Sequence, residues 1–382
     1  AGFMLGALGL ILFSIWKLNQ SLISVLVPNR DTTESLVNTI YTQRFLKRGP
    51  KIVAIGGGTG LATLLRGLKE YTGNLTAIVT VADDGGSSGV LRRELGVLPP
   101  GDVRNCIAAL ADAEPLVTRL FQYRFSDGSG LAGHSFGNLF IVAMSGVVGN
   151  FEDAIRQTSR VLAVRGQIIP STLANVTLCA KTEDDRTITG ESLIGMANGQ
   201  SDDRIREVYL VPHNPPAHPE AVRAILEADL VILGPGSLYT SVLPNLLVDG
   251  IKRSIMATSA PKVYICNVAT QHGETDGFDV ADHLRTIEDH IGKGIIGYVL
   301  ANDNLPASIP KAPHSQAVRL DAKVNNGIRL VTADVISAEN RYHHDSTRLA
   351  QAVMRIYYDR DQAAPAHVED VEEELAVTAV DL

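Results

Sequence analysis

The chain has 382 residues, 45% of them apolar and 20% charged, enough for one large packed domain or two modest ones. Its 34 basic and 42 acidic residues give a formal charge of −8, which argues against a general nucleic-acid binder, since those carry a basic balance. Cys106, Cys179 and Cys266 lie far apart, form no CxxC, and read as reduced core thiols of a cytosolic domain.

The first element is apolar. Ala1 to Trp16 has Ser14 as its one polar side chain. A spanning helix needs about 20 apolar residues. The chain starts without Met, so the run is expected to continue upstream. Trp16 and Lys17 suit a membrane–water interface, and Arg30, Arg44, Lys47 and Arg48 place the downstream side in the cytoplasm. No basic segment precedes the run, which disfavours a signal peptide. Residues 1–28 are therefore expected to be a membrane anchor, with Leu22 to Val27 along the membrane surface. Residues 29–49 are expected to form a linker helix.

Folded chemistry starts at Lys51. KIVAI, GGGTG and LATLLRGLKEY read as strand, glycine-rich turn and helix. LTAIVTVA, Leu75 to Ala82, is a second strand, parallel to the first, ending at Asp83 and Asp84. GDVRNCIAALADAEPLVTRLF holds two helical patterns around Pro115, and the stretch from Gly133 reads as a loop and two more helices. Residues 166–219 alternate and carry Thr and Val, which predicts a small, largely antiparallel inserted subdomain ending in the Pro-rich connector PHNPPAHP. The parallel pattern then resumes. ADLVIL, APKVYICNVA, GIIGYVLAND and GIRLVTADVI are strands, and STRLAQAVMRIYY is a last helix. Residues 359–382 are an acidic, solvated tail. The alternation predicts an α/β fold with a doubly wound, mainly parallel sheet.

Ligands of such sheets bind beyond the carboxyl ends of the strands. Four polar loops fall there. GGGTG brings Gly57, Gly58, Thr59 and Gly60 to a helix N-terminus, where backbone N–H groups receive an anion. It is not a dinucleotide fingerprint, because Leu61 stands at the sixth position, and no Gly-Lys-Ser/Thr follows. Asp83 or Asp84 can accept ribose hydroxyls or bind Mg²⁺ on a substrate phosphate. Gly86, Ser87 and Ser88 then supply a turn and two hydroxyls. Arg104 is a forked phosphate partner and Asn105 an amide reader, with Asp102 as the N-cap of that helix. His134 and Asn138 open another helix, His134 as an acid/base or a phosphate donor. Gly234, Gly236, Ser237, Tyr239 and Thr240 form a second anion or sugar cradle, and Asn267 and His272 complete the edge. His343 and His344 lack zinc spacing and read as a helix start. Candidates for catalysis are Asp83, Asp84 and His134, although nothing defines a general base.

Five motifs in order, IGGGTG, DDGGSSG, GDVRN, GHSFGNL and GPGSLYTSVLPNLL, resemble the YvcK (gluconeogenesis factor) branch of the CofD-like proteins. The resemblance covers Lys51 to Tyr358, and the apolar N-terminus departs from the soluble members. It implies a Rossmann-like domain over residues 50–358 with the smaller subdomain inside it. The CofD branch transfers a phospholactyl group from a guanylylated donor to a deazaflavin precursor with Mg²⁺. The YvcK branch is a regulator that binds UDP-N-acetylglucosamine, some members having been found with NAD(P). It supports cell shape and peptidoglycan synthesis during gluconeogenic growth. The resemblance thus implies a UDP-sugar sensor acting on cell-wall precursor supply; the apolar N-terminus adds the expectation of an anchor on the inner face of the membrane, near cell-wall synthesis enzymes, and the acidic balance that of no nucleic-acid partner. The transferase is the alternative. A homo-oligomer is compatible with both.

Overall fold

The computed structural model describes residues 13, 14, 17, 46–112, 115–126, 128, 130–198, 204–305, 315–320 and 327–360. Residues 1–48 and 49–382 form two separate units, and the architecture below is that of the second. Among the described residues no helix is long and apolar enough to cross a membrane. The anchor expected over 1–28, the linker helix over 29–49 and the acidic tail lie outside the described residues, apart from a few flanking positions.

Seven strands make one parallel sheet. In chain order they are β1 (Ile52–Gly56), β2 (Leu75–Val79), β3 (Gln167–Pro170), β7 (Leu230–Leu233), β8 (Lys262–Ile265), β9 (Tyr298–Asn302) and β10 (Arg329–Ala333). The spatial order is β10-β9-β8-β7-β1-β2-β3. The chain therefore winds outward one way from β1 and the other way from β7, and the switch lies between those two strands. β1, β2 and β7 are buried along their whole length. That explains their unbroken apolar sequences: a parallel sheet is covered on both faces. Successive residues point to opposite faces. Val53 and Ile55 thus join one core, and Ile52 and Ala54 the other.

Helices follow the same logic. On one face lie α1 (Gly58–Leu68), α3 (Gly101–Leu110) and α12 (Ser346–Asp359), burying Leu61, Leu64, Ile107, Leu349 and Val353. The other face takes α8 (Pro219–Leu226), α10 (Asp249–Ala257) and α11 (Val280–Ile291), through Ile225, Ile251, Ile255, Leu284 and Ile287. Between β2 and β3 run α2 (Gly86–Leu95), α3, α4 (Pro115–Gln122), α5 (Phe136–Val148) and α6 (Phe151–Val161).

The inserted subdomain needs a corrected boundary. Residues 167–170, expected within the antiparallel subregion, pair in parallel with β2 as the sheet's edge strand. The antiparallel part is the three-stranded sheet β5-β4-β6, formed by β4 (Thr177–Thr182), β5 (Thr187–Thr189) and β6 (Ile205–Val211), with α7 (Glu191–Asn198) between β5 and β6. The second strand is also shorter than expected. It ends at Val79, so Asp83 and Asp84 sit in a loop and not at the strand's last position.

Candidate functional site

The site is built on the switch between β1 and β7. After β1 the chain passes through Gly57 in an extended conformation into Gly58, whose φ of +63° a side chain would oppose. Gly57 caps α1 without any side-chain bond; the Gly58 N–H is taken by the Asp102 carboxyl, which leaves the N–H groups of Thr59 and Gly60, residues that line the cleft. Gly60 is needed for another reason. A Cβ there would stand 2.7 Å from the Pro235 carbonyl oxygen and 3.0 Å from Gly236 N. The two glycine-rich turns, after β1 and after β7, are in backbone contact.

Side chains hold them in place. Asn245, fully buried in α9 (Leu243–Leu246), donates from Nδ2 to the carbonyls of Gly56 (2.9 Å) and Ser241 (2.8 Å). Asn267 Nδ2 donates to Gly236 O at 2.9 Å. Ser237 caps the turn Leu238–Val242, accepting from Thr240 N at 3.2 Å and from Thr240 Oγ1 at 2.6 Å, and donates its own proton to Glu274. The result is a cleft of about 430 Å³ lined by both turns, by Asn267, Gln271 and Glu274, and by Glu191, Tyr342, His343 and His344. Gln271 Oε1 is buried there without a hydrogen-bond partner.

Carboxylates cluster at one end. Asp83 Oδ1 accepts from Gly85 N at 2.9 Å, and Asp84 Oδ1 accepts from Ser192 N at 2.8 Å. Burial raises the Asp83 carboxyl above its usual range. Burial, and then the charge of Asp83, pushes Asp102 up to about 7 against a hydrogen bond from the Gly58 backbone. Burial and the surrounding acids Asp83, Asp102, Asp84 and Glu274 push Glu191 up to about 8. Glu274 is raised by burial as well. Opposed pressures of this kind concentrate at functional sites. Asp102 is not the N-cap of α3. Pro100 stands there, and Asp102, in the first turn, reaches back to the β1 turn.

A third wall comes from α2 and α5. Asn138 Nδ2 donates to Ser87 Oγ at 3.0 Å, and Ser87 Oγ lies 3.0 Å from His134 Nδ1. The Ser87 hydroxyl has one proton and two lone pairs, so the direction of its bond with Nδ1 follows the His134 tautomer. Ser88 Oγ accepts from Gly101 N at 3.1 Å. Arg104 donates from Nη1 to Ser135 Oγ (2.7 Å) and from Nη2 to Asn105 Oδ1 (2.8 Å), so its fork holds protein groups. Its Nε and Asn138 Oδ1 are buried without partners.

The expected residues thus separate into groups. Gly57, Gly58, Thr59, Gly60, Gly236, Ser237, Thr240 and Asn267 share the cleft. Asp83, Asp84, Gly86, Ser87, Ser88, Arg104, Asn105, His134 and Asn138 form the neighbouring polar wall. Gly234 shapes the turn with φ +80° and does not line the cleft. Tyr239 turns away: it is 2% exposed, and its hydroxyl donates to the Ile205 carbonyl at 3.4 Å. His272 is half-exposed beside Asp276 at 3.2 Å. His343 and His344 line the cleft; the helix start is Asp345, which accepts from Thr347 N and Arg348 N. Sequence reasoning also passed over Glu191, Gln271, Glu274 and Tyr342. Among the described residues no three His, Cys, Asp or Glu side chains converge as a metal cage. Asp83, with its carboxyl near Ser88 and the cleft's acids, fits a single carboxylate contact to a phosphate-bound Mg²⁺, not a dedicated centre.

A family model for the 2-phospho-L-lactate transferase CofD matches residues 52–336. A Nostoc protein is 50% identical over 363 residues, spanning 93% of this chain and 78% of that one. The gluconeogenesis factor of Bacillus subtilis is 46% identical over 312 residues, 80% of this chain and 97% of that one. This chain belongs to the gluconeogenesis factor (YvcK) family of CofD-like proteins. A crystal structure of a UPF0052 family member from Bacillus halodurans superposes with a TM-score of 0.74 at 42% identity, covering 80% of this chain and 99% of that one. The family core thus coincides with the parallel sheet and its cleft, from β1 to just beyond β10.

Proposed function

We propose that this gluconeogenesis factor binds a nucleoside diphosphate sugar of the UDP-N-acetylglucosamine type and acts as a regulator of cell shape and peptidoglycan precursor supply during gluconeogenic growth. The observation that carries this reading is the pair of glycine-rich turns facing one cleft at the β1/β7 switch. Two such turns supply backbone donors to a diphosphate without any Lys or Arg among the described lining residues. Asn267, Gln271, Ser237 and Thr240 offer the acceptors and donors that sugar hydroxyls require. The raised Glu191 keeps its proton near neutral pH, so it donates to a phosphate or hydroxyl instead of repelling it. A nicotinamide dinucleotide suits the turn less well, because Leu61 is fully buried where the fingerprint needs a third glycine.

A second reading is a CofD-type transfer from a nucleoside diphosphate donor with Mg²⁺. The cluster of Asp83, Asp102 and Glu191 beside the cleft supports it, since it can place one carboxylate on a phosphate-bound metal. Calorimetry with UDP-N-acetylglucosamine, NADPH and GTP, with and without Mg²⁺, separates the readings. Saturable heat with the UDP-sugar and no turnover supports the sensor. Turnover of a donor, lost in Asp83→Asn, supports the transferase. No heat with the UDP-sugar removes the first reading. Membrane attachment through residues 1–28 and contact with cell-wall synthesis enzymes belong to the same proposal; fractionation of the full chain tests the attachment.

A further inference from the structure

A second cavity, of about 260 Å³, lies at the far edge of the sheet, between α6 and β3. It shares no lining residue with the cleft at the β1/β7 switch. One side of α6 lines it, with Glu152, Ile155 and Ser159 at helical spacing. Ile168 and Ile169 of β3 add an apolar floor. Three donors stand in it without a matching acceptor. His218, at the N-cap of α8, is 4% exposed. Its Nδ1 accepts from Glu220 N at 3.2 Å, so Nε2 carries the ring proton. Nε2 points the other way, toward Glu152 on α6. It lies 3.4 Å from Glu152 Oε2, yet the two are not aligned as a hydrogen bond, and Nε2 is buried without a partner. Ser159 Oγ is also buried without a partner. Arg160 bonds only Gln157 Oε1, at 3.4 Å, and meets no carboxylate among the described residues. Arg156, by contrast, is spent on Glu152, Asp153 and Glu220.

We propose that this cavity is a second ligand site, for a small hydroxycarboxylate whose two polar groups stand at opposite ends of a short hydrocarbon chain. The carboxylate belongs at Arg160 and Ser159, where a guanidinium fork and a hydroxyl offer donors to its two oxygens. The other end needs a different group. A second carboxylate there would face the charge of Glu152, and an ammonium group would meet the Nε2 proton of His218. A hydroxyl accepts from His218 Nε2 and gives its own proton to Glu152 Oε2, so it satisfies both. The hydrocarbon then lies over Ile155 and Ile168. The ends are set by residues 152 and 159, about 10 Å apart along the helix axis, the length of an extended chain of about six carbons with its end groups. Inorganic phosphate is too short to reach both ends and leaves the isoleucines uncovered. α6 packs against α5, whose first turn carries Asn138 of the polar wall, so an occupied cavity touches the element next to the first site.

Titration of the full chain with 6-hydroxyhexanoate, followed by isoleucine-methyl NMR, tests this. Saturable shifts at the Ile155 and Ile168 methyls are expected, with a Kd of about 1 mM or lower. Hexanoate, which lacks the hydroxyl, and hexanediol, which lacks the carboxylate, should each bind about tenfold more weakly or worse. Arg160→Gln should weaken 6-hydroxyhexanoate by about tenfold and leave hexanediol unchanged. Because Arg160 is exposed, its thermal melt should match the wild type. UDP-N-acetylglucosamine should not displace the probe. The absence of any saturable shift overturns the proposal. So does hexanoate binding as tightly as the probe, which marks an apolar cavity without specific ends. So does an unchanged affinity in Arg160→Gln, or displacement by the UDP-sugar. Failure of the UDP-sugar to bind at all would end the nucleotide reading and leave this one standing.

Discussion

Asp102 Oδ2 lies 2.5 Å from where a Cβ on Gly57 would stand. The acid and the glycine come from α3 and from the end of β1, and they fit only because Gly57 has no side chain. This contact ties the carboxylate cluster to the backbone that is to hold the diphosphate.

Gly57→Ala therefore forces Asp102 or the β1 turn to move, and Gly60→Ala forces the two turns apart at Pro235. Each should weaken UDP-sugar binding by at least about tenfold, because the donors lose their common target. Overpacking of this kind should also destabilise the fold by about 1–3 kcal/mol. Calorimetry and denaturant unfolding read the two effects. Unchanged affinity in both variants would mean the turns do not touch the ligand.

Asn245→Leu removes the donor shared by the Gly56 and Ser241 carbonyls. Gly56 O keeps its bond from Thr80 N at 3.1 Å, so the loss is that of the two Asn245 bonds, about 0.5–1.5 kcal/mol each before relaxation. Urea unfolding should show a loss of that order. Binding should fall with it, since Asn245 fixes the β1 turn against the β7 turn. A variant as stable as the wild type would show that this bond pair is not what aligns the turns.

Asp102 and Glu191 make stability depend on pH. Their carboxyls stand at about 7 and about 8 in the fold, against 3.8 and 4.5 when unperturbed. The folded state thus binds more protons than the unfolded one between those values, and stability falls as pH rises through the window. Asp102→Asn and Glu191→Gln lack the penalty. Their Tm advantage over the wild type should widen by several degrees from pH 4.5 to pH 8. A gap that narrows instead would reverse the sign of the burial argument.

His344 acts in the opposite direction. It is buried with Nε2 3.2 Å from the Cys266 carbonyl, and burial lowers it from 6.5 to about 4. Below 6.5 the unfolded chain takes up a proton that the fold refuses, so stability falls as pH drops toward 4. His344→Gln can keep a donor for the carbonyl without titrating, and should lose less stability over that range. Thermal melts from pH 7 to pH 4 compare the two; parallel curves would exclude His344 as the source.

Much of this arrangement was legible from the sequence because it is local. KIVAIGGGTG and ADLVILGPG each place a buried strand directly before a glycine turn, and the structure sets those turns side by side. Residues that depend on distant partners were not legible. QIIP, residues 167–170, is too short to declare its sheet, and its parallel partner β2 lies about ninety residues earlier. Asp102 looked like a cap, since no local signal shows that Gly58 folds back to it. Glu191 follows an antiparallel strand with nothing around it to suggest a ligand cleft. Glu274 stands two residues after His272, which was expected at the sheet edge, but acids in a loop do not show which one turns inward. Tyr239 failed for the converse reason: a hydroxyl beside Ser237 and Thr240 looks like part of a cradle until the turn's direction puts it in the core.

The most direct test is a crystal structure of the full chain with UDP-N-acetylglucosamine. The diphosphate should lie between Thr59–Gly60 and Gly236–Ser237, within hydrogen-bond distance of their backbone N–H groups. A nucleotide seated elsewhere, for example in the cavity between α6 and the β3 edge, with the two glycine turns left empty, would contradict the account.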